Sequence, residues 1–299
     1  MKHLLRDNAL EAWSMAIKYC NDILDGKATL SYRKNFVSSL HNAVELFIKQ
    51  RMLDVNDFRV VEIKNGVMAD GQPAKSYFNA SNLNEYFMGL NQEQMKPYFS
   101  IDFSKLSTYS KELFVEYYEQ TGNKGIVCDA MKKLAVLRNN ETHFYIDKNM
   151  FLSEDDFREL HNFMIVFYEI LQKYDLLPFW GEPGIGEYSV FSFRKEKLEY
   201  FTYKKAVKNS IFVKKLKENI NNQIFPALGN SAYEIAESIS FSLDDEYGTK
   251  EFNDLWTYID LMLEYDLLTY EVIEEEYEVE EEGNIHSGCN RYRIFEVNI

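Results

Sequence analysis

Arg138, Asn139 and His143 stand in the spacing R-N-x-x-x-H within LAVLRNNETHFYI. Arginine carries a permanent charge on a planar fork that can hold two phosphate oxygens at once. Histidine titrates near neutrality and passes protons. Side by side, the two could move a proton next to a phosphate while stabilising the negative charge that builds there. Neither task requires a metal. The same pair also has a plainer use, as cationic side chains facing the negative end of a helix dipole, worth under about 1 kcal/mol.

Whether the two can share a site depends on the element that carries them. Val127, Ala130, Leu134 and Leu137 recur at helical steps after the Gly122–Gly125 turn region, so the motif sits at the end of a helix. On an unbroken helix, Arg138 and His143 would point about 140° apart. Asn139-Asn140 is expected to end the helix, because Asn caps helices in the left-handed conformation. His143 could then fold back beside Arg138.

Three more helices are predicted around this one. Leu10, Trp13, Ile17, Cys20 and Leu24 mark the first, ending near Gly26. Phe36, Leu40, Val44 and Phe47, widened by Ala43 and Ile48, mark the second. The fourth opens with Ser153 and Asp156 at capping-box spacing, runs through Phe157, Leu160, Met164, Phe167 and Leu171, and stops before Pro178. Amphipathic helices of this length bury their stripes against one another, so residues 1–177 are expected to form a four-helix up-and-down bundle. An insertion at about 55–122 interrupts it. It holds an Asn65-Gly66 hairpin signal and, in ELFVEYYEQ, a further short helix.

The motif's place at the break between two bundle helices, together with HNAVELFIKQRM at 41–52, resembles the HEPN superfamily. This resemblance covers about residues 5–177. It implies an endoribonuclease of toxin–antitoxin or phage-defence type, in which the ribose 2′-OH attacks the adjacent phosphate and leaves a 2′,3′-cyclic phosphate. His143 would take the 2′-OH proton, Arg138 would stabilise the phosphate, and Asn139 would shape the turn and contact phosphate. The resemblance also implies a homodimer whose two motifs form one composite site, RNA as substrate, and an antitoxin or regulatory protein as partner. Some HEPN domains bind without cleaving, so a non-catalytic interaction module stands as the alternative.

Glu45 and Lys49, four apart on the second helix, could position the motif or bind substrate, although that spacing also produces ordinary surface ion pairs. His41 is expected to join the same solvated face. His161 lies one residue off the core stripe of the fourth helix, and His3 near a frayed terminus.

The rest of the chain reads differently. PFWGEPGIGEYSVFS, at 178–192, marks a domain boundary. A stretch from Arg194 to Lys217 carries nine Lys/Arg against two Glu, with Tyr200, Phe201 and Tyr203 between them. Lys204, Lys205 and Lys208 are the candidate RNA-backbone contacts there. Helices at about 231–242 and 249–265 and two extended terminal segments predict a smaller α+β, winged-helix-like domain over 178–299. Net charge is −15, of which residues 181–299 hold −12. Nine acidic residues in 266–282 would repel DNA, which excludes a transcription-factor wing and favours a protein-contact or autoinhibitory role. The three cysteines, Cys20, Cys128 and Cys289, lie far apart, with no zinc or disulfide spacing. No metal or cofactor is implied. The amino terminus turns charged too early for a signal peptide and no apolar run reaches a membrane span, so a cytoplasmic protein without membrane attachment is expected.

Overall fold

The apolar spacings of the first half become long helices in the computed structural model, which describes residues 4–63, 72–141, 151–178, 207–243, 252–281 and 284–299. Helix α1 (Arg6–Leu24) buries Leu10, Trp13, Ile17 and Cys20 along one stripe. It closes at Gly26, whose φ of 86° suits a residue without Cβ. Helix α2 (Leu30–Asp54) buries Phe36, Leu40, Val44 and Phe47, and with them the polar Lys49 and Gln50. A left-handed Asn56 (φ 55°) follows its end.

The insertion is mostly helical. After a 3-10 turn at Phe58–Val60 come β1 (Val61–Ile63), α3 (Gln72–Phe78), α4 (Leu83–Met88), α5 (Gln92–Met95), β2 (Tyr98–Ser100), α6 (Phe103–Leu113) and α7 (Val115–Thr121). Strand β1 pairs antiparallel with β2, Val61 opposite Ser100. Asn65-Gly66 lies outside the described residues, and the partner that β1 finds among the described residues is not adjacent across that turn but comes from 98–100. The pairing is sealed by aromatics: Tyr77, fully buried, has Phe58, Phe87 and Tyr98 within 5.3–5.8 Å. ELFVEYYEQ is helical as expected, across the end of α6 and α7.

A polar network fastens this insertion to the bundle. Buried Gln50 accepts from the Leu5 amide at 2.7 Å and donates to Asp54 at 2.7 Å and to Asn84 of α4 at 2.9 Å. Further on, Tyr117 of α7 donates to Glu169 at 2.7 Å. Such buried groups are tolerable only because each finds a partner.

Helices α8 (Lys124–Glu141) and α9 (Glu154–Lys173) complete the four. The capping box at the start of α9 forms as read: Ser153 accepts from the Asp156 amide, and the Asp156 carboxylate accepts from the Ser153 amide. Trp13 packs between Phe47 of α2 and Phe167 of α9, at 6.5 and 6.0 Å, and Phe36 meets Phe157 at 5.3 Å. Removing a fully buried indole of this kind costs about 3–5 kcal/mol. Buried Arg33, at the start of α2, donates to the Leu152 carbonyl just ahead of α9. Among the described residues no helix is long and apolar enough to cross a membrane.

The chain divides into two units, Met1–Glu199 and Tyr200–Ile299. The division falls beyond the Pro/Gly stretch 178–192, nearly all of which lies outside the described residues. In the second unit, α10 (Ile211–Ile220), α11 (Ala232–Ser242) and α12 (Phe252–Glu264) bury Val213, Leu216, Ile235, Ile239, Leu255 and Ile259. Strands β3 (Ile224–Pro226), β4 (Leu268–Glu281) and β5 (Asn284–Val297) form an antiparallel sheet in the order β3-β5-β4. Arg293, Phe295 and Val297 point to the helices and are buried. The other face exposes Ile224, Ile273 and Tyr277. Strand β3 reaches only residues 292–294 of β5, so the distal part of the β4–β5 hairpin is a two-stranded ribbon. Glu271 to Tyr277 are all exposed, and Glu274 is paired with Arg291 across the ribbon at 2.8 Å.

Candidate functional site

The R-N-x-x-x-H motif does not break its helix where the sequence suggested. Helix α8 runs through Asn139 and Asn140 to Glu141. Asn in a helix interior costs only about 0.7 kcal/mol against Ala, so two of them do not stop a helix whose Leu134 and Leu137 are anchored in the core. Arg138 therefore occupies the last turn of α8, with an exposed side chain. His143 lies outside the described residues, as does the turn that follows the helix.

Arg138 borders an open cleft of about 710 Å³. Helix α1 contributes Asn8, Glu11 and Met15 to its walls, and α2 contributes Ser38, His41, Asn42 and Glu45. Asn139, also exposed, is not among the lining residues. The cleft is thus built from the first, second and third long helices, and a guanidinium and several polar residues of α2 share its lining.

Of these, His41 and Glu45 form a row that continues beyond the cleft to Lys49, at successive four-residue steps on one face of α2. This row is not the solvated ion pair expected from the spacing. Lys49 is only 5% exposed, and its ammonium donates to both Glu45 and the hydroxyl of Ser100 on β2. An ammonium withdrawn from water needs its charge answered, and Glu45 answers it. Nor does His41 stand in solvent. Its ring stacks on Phe103 of α6 at 4.0 Å and 26°, with 12% of the side chain exposed. Its Nδ1 lies 3.8 Å from Glu45 Oε2.

Two supports of this row, Ser100 and Phe103, belong to the insertion, whose role the sequence did not disclose. No local pattern marks them: their effect arises because the β1–β2 pairing and the start of α6 bring residues 100–103 against α2. His161 has no part in the cleft. It is fully buried on α9, its ring 6.1 Å from that of Phe157, and burial pushes its imidazole down to about 3.

The basic track of the second unit is described only in part. Lys204 and Lys205 lie outside the described residues, while Lys208 is exposed ahead of α10. Among the described residues, no group of three or more His, Cys, Asp or Glu side chains could hold a metal ion.

No protein-family model, no curated protein and no solved structure matches this chain.

Proposed function

We propose that the chain is a metal-independent endoribonuclease of the HEPN type. The observation that carries the reading is the cleft itself, which Arg138 at the end of the third bundle helix lines together with His41 and Glu45 of the second, Glu45 being held from behind by Lys49. In this reading Arg138 holds a phosphate through its fork and stabilises the charge of the transition state. His143 takes the ribose 2′-OH proton, and Asn139 shapes the approach to it. Because Glu45 is already paired with Lys49, its negative charge weighs less against an incoming phosphate than an unpaired carboxylate would.

Two protomers would bring their motifs together in a composite site. An antitoxin or other regulatory protein would hold a cytoplasmic enzyme of this class in check. In this reading the second unit, with its order α10, β3, α11, α12, β4, β5, would serve as a winged-helix-like domain whose Lys204, Lys205 and Lys208 would meet the RNA backbone.

The test is incubation of the purified protein with total RNA and tRNA, in EDTA, beside Arg138→Ala and His143→Ala. Each variant is expected to lose about 10²–10⁴-fold in cleavage rate with fold and assembly intact, and wild-type products should end in 2′,3′-cyclic phosphate. Full activity in either variant would refute the assignment.

A second reading keeps the same bundle as a non-catalytic binding module. The acidic, exposed outer face of β4, with Glu271 and Glu275 alternating with Ile273 and Tyr277, favours it, since a charged surface of this kind can take a basic partner. A folded wild-type protein that leaves every RNA intact would favour this reading over the enzyme.

A further inference from the structure

We infer that His41 is the general acid of this cleft, giving its proton to the 5′-oxygen that departs from phosphorus. The inference rests on the ribonuclease reading and assigns the acid to a residue outside the R-N-x-x-x-H motif, which supplies one histidine per protomer. Attack of the 2′-oxygen forms one P–O bond and breaks another. The base takes one proton from the 2′-OH, and the departing 5′-alkoxide must receive one. The products are a 2′,3′-cyclic phosphate and a 5′-hydroxyl, with no net change in protons. Arg138 cannot supply that proton, because a guanidinium does not deprotonate in proteins.

His41 is suited to the task by position and by its neighbours. It lines the same cleft as Arg138, so a phosphate held by the guanidinium lies within the space that His41 borders. Its ring is held flat by the stack on Phe103, and its Nδ1 lies at ion-pair range, 3.8 Å, from Glu45 Oε2. With Nδ1 turned to the carboxylate, Nε2 is the nitrogen that donates. Glu45 is in turn held by Lys49, itself tied to Ser100. A ring held by stacking beside a carboxylate that is itself anchored is an arrangement suited to proton transfer.

A general acid must also be charged when substrate arrives. The charged groups around His41 are Glu45 on its own helix, with Lys49 paired to it, and Glu11 from α1 and Arg138 from α8 in the same cleft lining, while α6 presents the uncharged Phe103. The two carboxylates favour an imidazolium, Glu45 the less strongly because the Lys49 ammonium already pairs with it, and the guanidinium opposes it. A bound phosphate cancels the guanidinium, so substrate binding tips the balance towards the protonated ring.

The experiment compares two oligonucleotides with the full-length protein: ordinary RNA, and RNA with sulfur in place of the bridging 5′-oxygen at the cleavage site. A thiolate leaves without needing a proton. His41→Ala and His41→Gln are expected to lose roughly 10²–10³-fold on ordinary RNA and to recover to near the wild-type rate on the sulfur substrate. Arg138→Ala should lose on both. Glu45→Gln, which removes the charge beside the imidazolium, should move the alkaline limb of the pH–rate profile on ordinary RNA to lower pH. The Gln variant keeps a polar side chain of similar reach should His41→Ala fail to fold. Equal loss on both substrates, or no loss, overturns the acid assignment alone. Wild-type protein that cleaves neither substrate overturns the ribonuclease reading and the assignment with it.

Discussion

Acidifying the protein from about pH 7.5 to about pH 5 should weaken it through one residue, His161. The imidazole is fully buried on α9, where desolvation pushes it down to about 3, against an ordinary value of about 6.5 in an unfolded chain. Between those two values the unfolded state binds a proton that the folded state refuses. Stability therefore rises with pH across that window; it is complete above about 6.5 and falls away as pH drops towards 3. Each pH unit inside the window is worth about 1.4 kcal/mol, so at pH 5 the loss from this group is about 2 kcal/mol. His161→Leu fills similar space and cannot take up a proton. Urea unfolding of wild type and variant, followed by circular dichroism at both pH values, isolates the effect. The stability difference between them should shift by about 2 kcal/mol in favour of the variant as the pH is lowered. If both proteins lose stability in parallel, His161 is not held neutral by burial and the reasoning fails.

Other perturbations probe the supports of the cleft and the assembly. Gln50→Leu leaves the Leu5 amide, Asp54 and Asn84 without their shared partner, and should cost about 1–3 kcal/mol in denaturant unfolding; an unchanged midpoint would show that the network contributes nothing. Lys49→Met strands the half-buried Glu45 and loosens its hold on His41, so cleavage should fall more than tenfold while substrate affinity changes less; a loss confined to KM would assign Lys49 to binding instead. If the site is shared between protomers, mixing Arg138→Ala with His143→Ala should restore part of the activity that each lacks. No recovery in a mixture shown to exchange subunits would argue against a composite site.

Legibility in the sequence followed the range of the forces involved. The four long helices could be read because their core stripes, such as Leu10, Trp13 and Ile17 or Phe157, Leu160 and Met164, repeat within one element. Ser153 and Asp156 could be read because a capping box is closed within four residues. The stop at Asn139-Asn140 was misread, even though Asn and Asp do take left-handed backbone just after helices elsewhere, at Asn56, Asp175, Asn222 and Asp266. What decides between capping and continuation is how firmly the preceding turn is packed, and no local rule reports that. The burial of Lys49 and the stack of His41 on Phe103 were hidden for a related reason. Their partners sit 51 residues away for Lys49 and on a different helix for His41, and only the β1–β2 pairing brings them near.

The contacts from Ser100 and Phe103 to α2 also bear on how far the chain could be shortened. Judged by loop-closure entropy alone, a segment such as 55–122 is a cheap addition and therefore a cheap excision, since doubling a loop changes its cost by only about 0.6 kcal/mol. Here the excision would expose the flank of α2. Lys49 would exchange a hydroxyl for solvent, His41 would lose the ring that holds it flat, and Gln50 would face the gap left by Asn84. A trimmed bundle would keep its four apolar stripes but lose the buried Phe114 and Tyr117 that pack on it and leave Glu169 without its tyrosine partner, and its polar row would be free to swing. The added segment is thus a buttress, and variation within it would tune the cleft from behind without altering a single residue that lines it.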